Sequence, residues 1–229
     1  MRKKKVFFTE CAYAAGIVIL ALGTAFMERA DFGMSMVVAP AYLLHLKISE
    51  IIPAYTFGMS EYVMQAVLLV VLSLFMGRFK KGYLFSFVTA VIYGLVLDLV
   101  IRLTGLLPLG GTLGRFVYYA VGLVLCSVGV SFLFHTYFAP EAYELAVKEI
   151  AERYSLRIDR VKTVYDCCSC AVAVILSFAF FGFGHFKGVK LGTVFCALVN
   201  GWLIGKISGA LESAFEFKDG LSLREYFTK

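Results

Sequence analysis

Six long stretches of mostly apolar residues alternate along the chain with short polar or charged segments. They lie near residues 11–29, 60–77, 83–103, 116–135, 164–184 and 189–211. A helix needs about 20 residues to cross a hydrocarbon core of about 30 Å. The apolar runs are continuous rather than alternating, which indicates helices and excludes barrel strands. The pattern therefore predicts an all-α polytopic membrane protein with six transmembrane helices, a single membrane domain over residues 1–229.

The segment that begins at Tyr13 is repeated 106 residues later, in the segment that begins at Tyr119. Seven of 21 aligned positions are identical. The interval contains three apolar stretches, an odd number, so the second copy must have the opposite orientation in the membrane. The sequence therefore predicts an inverted 3+3 repeat, with three spans in residues 11–105 and three in residues 116–211.

Glycines recur at a spacing of seven residues in both copies of the repeated segment. They are Gly16 and Gly23 in the first copy and Gly122 and Gly129 in the second. A spacing of seven places both glycines of a copy on one helix face, where small residues let two helices approach closely. We interpret these faces as packing seams.

A connection of about 30 residues follows the first span of each half. Residues 30–59 are too apolar for a solvated loop, and Pro40 and Gly58 interrupt them too much for a span. Residues 136–163 carry charges at amphipathic spacing and are predicted to form a connection at the cytoplasmic surface. We expect re-entrant or interfacial segments after helices 1 and 4.

Composition and charge agree with a membrane location. Hydrophobic residues make up 60% of the chain and charged residues 17%, and the mean hydropathy is +0.82. If both termini are cytoplasmic, 15 of the 22 Lys and Arg residues lie on the cytoplasmic side. The net charge of +6 therefore reports topology, and we expect a lipid bilayer rather than a nucleic acid as partner.

Cysteine, metal-binding and enzyme motifs give little evidence for a function. The six cysteines fall mostly within apolar stretches, where we expect packing rather than disulfides. The run CCSC at 167–170 has no further Cys or His at ligand spacing, so we predict no metal and no cofactor. No HExxH, GxSxG or Walker pattern is present, so we expect no enzyme, with an intramembrane enzyme as the open alternative.

Polar residues within or beside the spans are the candidates for a substrate or ion pathway, because ionisable groups in membrane helices are costly and tend to mark function. The candidates are Asp31, Ser35, Glu61, Gln65, Asp98, Arg102, Asp166 and Asn200. Two pairs, Glu61 with Gln65 and Asp98 with Arg102, are four residues apart and share a helix face.

Five of these candidates also have a purely structural explanation. Glu61 lies near a helix N-terminus, where the dipole favours an acid. Asp98 and Arg102 can form a local ion pair near the end of a span. Asp166 can cap the fifth span, and Asn200 can make a hydrogen bond between helices. The sequence leaves both interpretations open.

Several motifs in order along the chain resemble those of the YczE/YitT-type bacterial membrane proteins. They are ADFGMS at 30–35, FGMS at 57–60, YGLVLD at 93–98, APE at 139–141, VKTVYD at 161–166 and GFGHFKGVKLGT at 182–193. Met36 stands where that family has a proline, and Lys190 lies inside the glycine-rich turn. The resemblance implies a multi-span protein of the bacterial cytoplasmic (inner) membrane that is often labelled transporter-like. Beyond the pathway candidates, its motif positions map to Gly33, Pro40, Gly58, Pro140, Glu141, Lys162, Gly184, Gly192 and Thr193.

Two functional hypotheses follow. The first is a transporter or channel for an unknown small solute, with its site between the inverted repeats and Asp98 as the best candidate for a proton- or cation-coupled step. The alternative is a non-transporting assembly or regulatory protein, whose amphipathic residues 141–154 dock a membrane protein partner. A homo-oligomer is compatible with both hypotheses.

Overall fold

The computed structural model describes residues 4–183 and 187–221. Within these residues the chain forms eight helices and two short strands. The elements are β1 (Lys5–Phe8), α1 (Thr9–Ala30), α2 (Ala39–Ile48), α3 (Phe57–Met76), α4 (Lys81–Thr104), α5 (Gly111–Phe134), α6 (Ala142–Arg153), α7 (Ile158–Phe181), α8 (Leu191–Ala214) and β2 (Phe215–Lys218). Helices α1, α3, α4, α5, α7 and α8 are long and apolar enough to cross a membrane. The predicted all-α polytopic fold is confirmed.

The chain divides into two halves with the same order of elements. In each half a long helix is followed by a short helix and then by two long helices. The breaks have local causes. The α3 helix begins after Thr56, whose side chain accepts a hydrogen bond from the Met59 amide, and it ends at Gly77, which has the left-handed φ of 65° that glycine adopts without strain.

Helices α1 and α5 pack against each other through their glycines. A Cβ atom placed on Gly23 would lie 2.8 Å from the carbonyl oxygen of Gly122, and one placed on Gly16 would lie 3.1 Å from that of Gly129. Position 16 thus faces position 129, and position 23 faces position 122, which makes the two helices antiparallel. The packing seam predicted from the glycine spacing is confirmed.

The short helices α2 and α6 begin at the centre of the bundle. Val38, before α2, and Glu141, before α6, line the same central cavity. At the far end of α2, the Lys47 ammonium lies 5.8 Å from the Phe181 ring at the end of α7. At the far end of α6, the Arg153 guanidinium donates to the Phe75 carbonyl at the end of α3. The two helices therefore run from the cavity towards opposite faces of the bundle.

The position of residues 136–163 differs from the predicted surface location in its first half. Glu141, Glu144 and Val147 are buried, and α6 packs against α3, α4 and α7. Within residues 30–59, positions 33–43 are likewise mostly buried, and the connection reaches the surface at the exposed Ile51 and Ile52. Amphipathic spacing indicated a surface position. The sequence pattern could not show that neighbouring elements supply polar partners for buried acids of α6.

A two-stranded parallel sheet joins the chain near its two ends. Strands β1 and β2 pair with Lys5 opposite Phe215. The Glu10 carboxylate accepts hydrogen bonds from the Gly220 and Leu221 amides, which holds β2 against the start of α1. The paired strands lie at one face of the bundle, as an even number of spans requires.

Candidate functional site

A small buried cavity lies where the two halves of the chain meet. Its volume is about 20 Å³, which is room for about one water molecule. The polar side chains that line it are Thr24, Ser35, Tyr93, Glu141, Tyr143, Glu144, Lys162 and Asn200. Thr24 and Tyr93 share a hydrogen bond of 2.8 Å between their hydroxyls. Both halves and both half-length segments contribute, so any change in how the halves pack reshapes this cavity.

Two glutamates beside the cavity are bridged by one amide. The Gln65 Nε2 atom donates to Glu141 Oε2 at 2.8 Å and to Glu61 Oε2 at 3.3 Å. The Ala142 amide donates to Gln65 Oε1 at 3.0 Å, which fixes the orientation of the Gln65 side chain. The Tyr143 hydroxyl donates to Glu61 Oε2 at 3.1 Å. We call Glu61 and Glu141, which Gln65 bridges, the bridged carboxyl pair.

The second oxygen of each glutamate has no such partner. Glu61 Oε1 and Glu141 Oε1 are buried and have no hydrogen-bond partner among the described residues. Burial, and then the negative charges of Glu144 and Glu61, raise the pKa of the Glu141 carboxyl well above its usual range. The environment of Glu141 therefore favours its protonated form.

Lys162 is the buried cation of the cavity. Its Nζ atom lies 3.1 Å from Asp166 Oδ1, one helical turn along α7, and 3.3 Å from Glu144 Oε1 on α6. The Lys162 side chain is only 1% exposed. Burying a charge is costly unless a counter-charge is close, so these two contacts hold Lys162 in place and tie α6 to α7.

Asn200 joins the cavity to α5. The Ser127 hydroxyl donates to Asn200 Oδ1 at 2.8 Å, and Asn200 also lines the cavity. The interhelical hydrogen bond that the sequence allowed is therefore present, and it leaves the Asn200 amide at the cavity wall. The structural interpretation of Asn200 is therefore confirmed, and its part in a substrate or ion pathway stays a prediction.

Two larger pockets lie on either side of the central cavity. The α2-side pocket has a volume of about 210 Å³ and is lined by residues that include Glu28, Tyr42, His45, Asp98 and Arg102. The α6-side pocket has a volume of about 240 Å³ and is lined by residues that include Phe134, His135, Lys162, Ile204 and Ser208. Burial lowers the pKa of His45 from its usual value.

The two pockets occupy equivalent places in the two halves. Glu28, Asp98 and Arg102 of the α2-side pocket are each separated by 106 residues from a residue that lines the α6-side pocket. These partners are Phe134, Ile204 and Ser208. Lys162 lines both the α6-side pocket and the central cavity. The Lys162 side chain therefore lies between the central cavity and the α6-side pocket.

Asp98 holds the start of α3. The Gly58 amide donates to Asp98 Oδ1 at 2.9 Å, so a carboxylate on α4 caps the N-terminus of α3. No ion pair between Asp98 and Arg102 is found in the described part of the chain. Both side chains line the α2-side pocket rather than the central cavity.

We expect Asp98→Ala to lower the free energy of unfolding by about 1–2 kcal/mol, because the variant leaves the Gly58 amide without its acceptor. Asp98→Asn is the matched control, since its amide oxygen can still accept, and it should cost less than half as much. Thermal unfolding in mild detergent measures both variants. Equal losses for the two substitutions would show that the charge, and not the acceptor, is what α3 needs.

Asp31 and Ser35 are separated by the local fold. Asp31 is exposed, and its carboxylate lies 2.7 Å from Lys190 Nζ and 3.8 Å from Arg115 Nη1. Ser35 is buried and lines the central cavity. The chain therefore turns back into the bundle between these residues, and only Ser35 reaches the centre.

Two sequence motifs that lie far apart in the chain pack together. The Gly192 amide donates to the Phe32 carbonyl at 3.0 Å, and the Met34 amide donates to the Gly188 carbonyl at 3.1 Å. Gly33 has a φ of 113° and packs directly on Thr193, where a Cβ atom would collide. These contacts hold the segment that carries Ser35 into the cavity.

The remaining motif positions have structural surroundings. Pro40 lies in the first turn of α2, and the Pro140 carbonyl accepts from the Ser86 hydroxyl at 2.6 Å. Gly58 packs against Gly94 of α4. Gly184 lies outside the described residues.

The structure thus brings five of the eight pathway candidates to the centre and leaves three away from it. Those at the centre are Ser35, Glu61, Gln65, Asp166 and Asn200. Sequence reasoning missed Tyr143, Glu144 and Tyr93, and assigned Glu141 only as a motif position. The available signal was the number of acids in residues 136–163, which an amphipathic surface helix explained equally well.

Six apolar helices of spanning length around a buried polar centre define a multi-pass α-helical membrane protein. Residues 7–209 match the model of the family of unknown function DUF6198, and the chain belongs to this family. No curated protein matches the chain, and no solved structure matches it. The resemblance to YczE/YitT-type proteins stays a prediction.

Proposed function

We propose that the protein is a transporter for a small polar solute, with its site in the central cavity. The observation that carries the proposal is the buried polar centre between the two halves, where half-length helices begin and run towards opposite faces. Transporters built from inverted repeats place their sites at such discontinuous segments, because helix N-termini and broken backbone offer polar groups there. The positive ends of the α2 and α6 dipoles face this cavity.

The antiparallel seam supports the inverted repeat that the proposal requires. Gly16 and Gly122 are equivalent positions of the repeated segment, as are Gly23 and Gly129. The seam pairs Gly16 with Gly129 and Gly23 with Gly122. A two-fold axis in the membrane plane, exchanging the halves, would convert one of these contacts into the other. The equivalent α2-side and α6-side pockets follow the same relation.

The pockets suggest how the site would be reached. In this structure the central cavity is nearly closed, and the side chain of Lys162 separates it from the α6-side pocket. Release of the Lys162 contacts would open the cavity towards that face. We place both termini, and with them the α6-side pocket, in the cytoplasm of a bacterium, in line with the positive-inside bias.

A non-transporting docking role for residues 141–154 has less support. The face of α6 that carries Tyr143, Glu144 and Val147 is buried within the bundle and is not offered to a partner. We also propose that the protein is not an enzyme.

Uptake by purified protein in liposomes tests the proposal. The exchange rate is measured for a panel of small polar solutes, neutral, cationic and anionic, and is compared with the rate in liposomes that lack the protein. We expect Asn200→Leu to lower the exchange rate of a transported solute about tenfold or more, because it removes a polar group from the cavity wall. Leu198→Ala is the matched control, since Leu198 is on the lipid-exposed side of the same helix, and it should exchange normally.

Two results would contradict the proposal. One is that no solute of the panel crosses faster with protein than without it. The other is that Asn200→Leu and Leu198→Ala, both folded by thermal unfolding and gel filtration, lower the rate of exchange equally. In that case the cavity would have no special part in the flux.

A further inference from the structure

We propose that the bridged carboxyl pair, Glu61 and Glu141, is a proton-binding site, in which one carboxyl holds a proton that it exchanges with water in the central cavity. The place of this proton in a transport cycle rests on the proposed function. The binding of the proton rests only on the geometry of the pair.

The geometry requires extra positive charge at the pair. Both glutamates are fully buried, and Gln65 Nε2 donates to one oxygen of each. A neutral amide offers hydrogen bonds but no charge, so two ionised carboxylates would face each other in a low-dielectric interior. Two buried carboxyls that share one amide nitrogen cannot both ionise without a large cost in free energy. One carboxyl must therefore hold a proton, or a cation must bind.

A proton fits the pair better than a metal ion does. The Gln65 amide nitrogen donates to one oxygen of each carboxyl, and the Ala142 amide prevents the side chain from turning its own oxygen there. A cation would meet these donors instead of oxygen ligands. The oxygens that remain are Glu61 Oε1 and Glu141 Oε1, which lack hydrogen-bond partners within residues 4–183 and 187–221 and can each carry a proton.

The groups that face the pair do not supply the missing charge. They are Tyr13 on α1, Tyr93 on α4, Cys126 on α5, Tyr143 and Glu144 on α6, and Lys162 on α7. Lys162 is the one cation of this set, and it is already held by Glu144 and Asp166. The other members are neutral or acidic. Together with its partners Glu144 and Asp166, Lys162 carries a net charge of −1 when both acids are ionised, so these groups offer the pair no positive charge, which favours proton binding.

The cavity gives the proton a path. Glu141 lines the cavity, which has room for about one water molecule. On deprotonation the O–H bond of the carboxyl breaks, its electron pair stays on the carboxylate, and the proton passes to that water. Lys162 stands between the cavity and the α6-side pocket, so its movement would connect this water to one face of the bundle.

The raised pKa of Glu141 gives the stability a definite pH dependence. A carboxyl whose pKa is higher in the folded than in the unfolded protein binds more protons when folded. Its contribution to stability is fully present below the unfolded value of about 4.3 and is lost as the pH rises through the folded pKa. The melting temperature should accordingly fall across that interval, and Glu141→Gln should reduce the slope.

Infrared spectroscopy of the reconstituted protein tests the site directly. We expect wild-type protein to show the C=O stretch of a buried protonated carboxyl that disappears as the pH is raised. Glu61→Gln/Glu141→Gln should lack this band, and it should fold, because glutamine has the shape of a protonated glutamate. Glu149→Gln is the control, since Glu149 pairs with Lys80 outside the pair, and it should keep the band.

The outcomes separate this inference from the proposed function. A band that persists at full intensity in the double variant would overturn the proton site. If the double variant does not fold, an unchanged pH slope of the melting temperature in Glu141→Gln has the same meaning. Absence of the band from wild-type protein, together with uptake driven by a sodium gradient and not by a pH gradient, would assign the pair to a cation instead. If the band is present in wild-type protein and absent from the double variant, but no solute flux is found, the transport proposal is contradicted and the proton site is retained.

Discussion

Lys162→Met is expected to lower the free energy of unfolding by about 3–5 kcal/mol, because it leaves two buried acids without their counter-charge. The Lys162 ammonium lies 3.3 Å from Glu144 and 3.1 Å from Asp166, and the side chains of all three residues are at most 5% exposed. Methionine fills nearly the same volume, so the loss measures charge rather than packing. Thermal or denaturant unfolding in a fixed detergent gives the difference.

Two controls sharpen this prediction. Lys47→Met removes an exposed ion pair with Glu50 and should cost at most about 1 kcal/mol. The triple variant Lys162→Met with Glu144→Gln and Asp166→Asn removes the unpaired acids and should recover most of the loss. A triple variant as unstable as the single one would show that Lys162 stabilises through its aliphatic chain and not through its charge.

The spanning helices were predictable because a membrane span is encoded locally. The first apolar stretch, placed near 11–29, is observed as Thr9–Ala30, and the third, placed near 83–103, is observed as Lys81–Thr104. Length and hydropathy of one continuous segment are enough for such a prediction. The strands at Lys5–Phe8 and Phe215–Lys218 were not predicted, because each is only four residues long and becomes a strand only by pairing with the other.

The candidate site was only partly predictable, since its groups meet through tertiary contacts. Glu61 and Gln65 were found because their spacing of four residues places them on one helix face. The same argument selected Asp98 and Arg102, which lie together but at a peripheral pocket. Glu141 had no comparable signal, because its contact with Gln65 spans 76 residues and depends on α6 entering the bundle.

The α6 helix shows why charge patterning can mislead in a membrane protein. Charged residues spaced among apolar ones normally indicate a helix at an interface. Here Glu144 pairs with Lys162, and Glu149 pairs with Lys80, so these two acids of α6 are neutralised by cations on α7 and before α4. Periodicity reports which residues share a face. It cannot report whether that face meets water or a counter-charge on another helix.

Gly23→Leu is expected to lower the free energy of unfolding by about 3 kcal/mol or more, because the added side chain collides with backbone. A Cβ atom at Gly23 would lie 2.6 Å from the Cys126 nitrogen and 2.8 Å from the Gly122 oxygen, and neither atom can move without separating α1 from α5. The wall of the central cavity would change as well, because Thr24 and Cys126 line it. Thermal unfolding and solute exchange measure the two effects.

Gly209→Leu is the matched control for this substitution. Gly209 is an exposed helical glycine of α8, and a Cβ atom added there would meet no neighbouring atom within 4 Å, so leucine should leave stability unchanged or raise it by up to about 1 kcal/mol. Gly129→Leu provides the second comparison. It is the repeat equivalent of Gly23, and its Cβ would lie 2.7 Å from the Leu20 nitrogen. Similar losses at Gly23 and Gly129 would agree with a two-fold seam, whereas tolerance at Gly129 alone would show that the two halves contribute unequally to the contact.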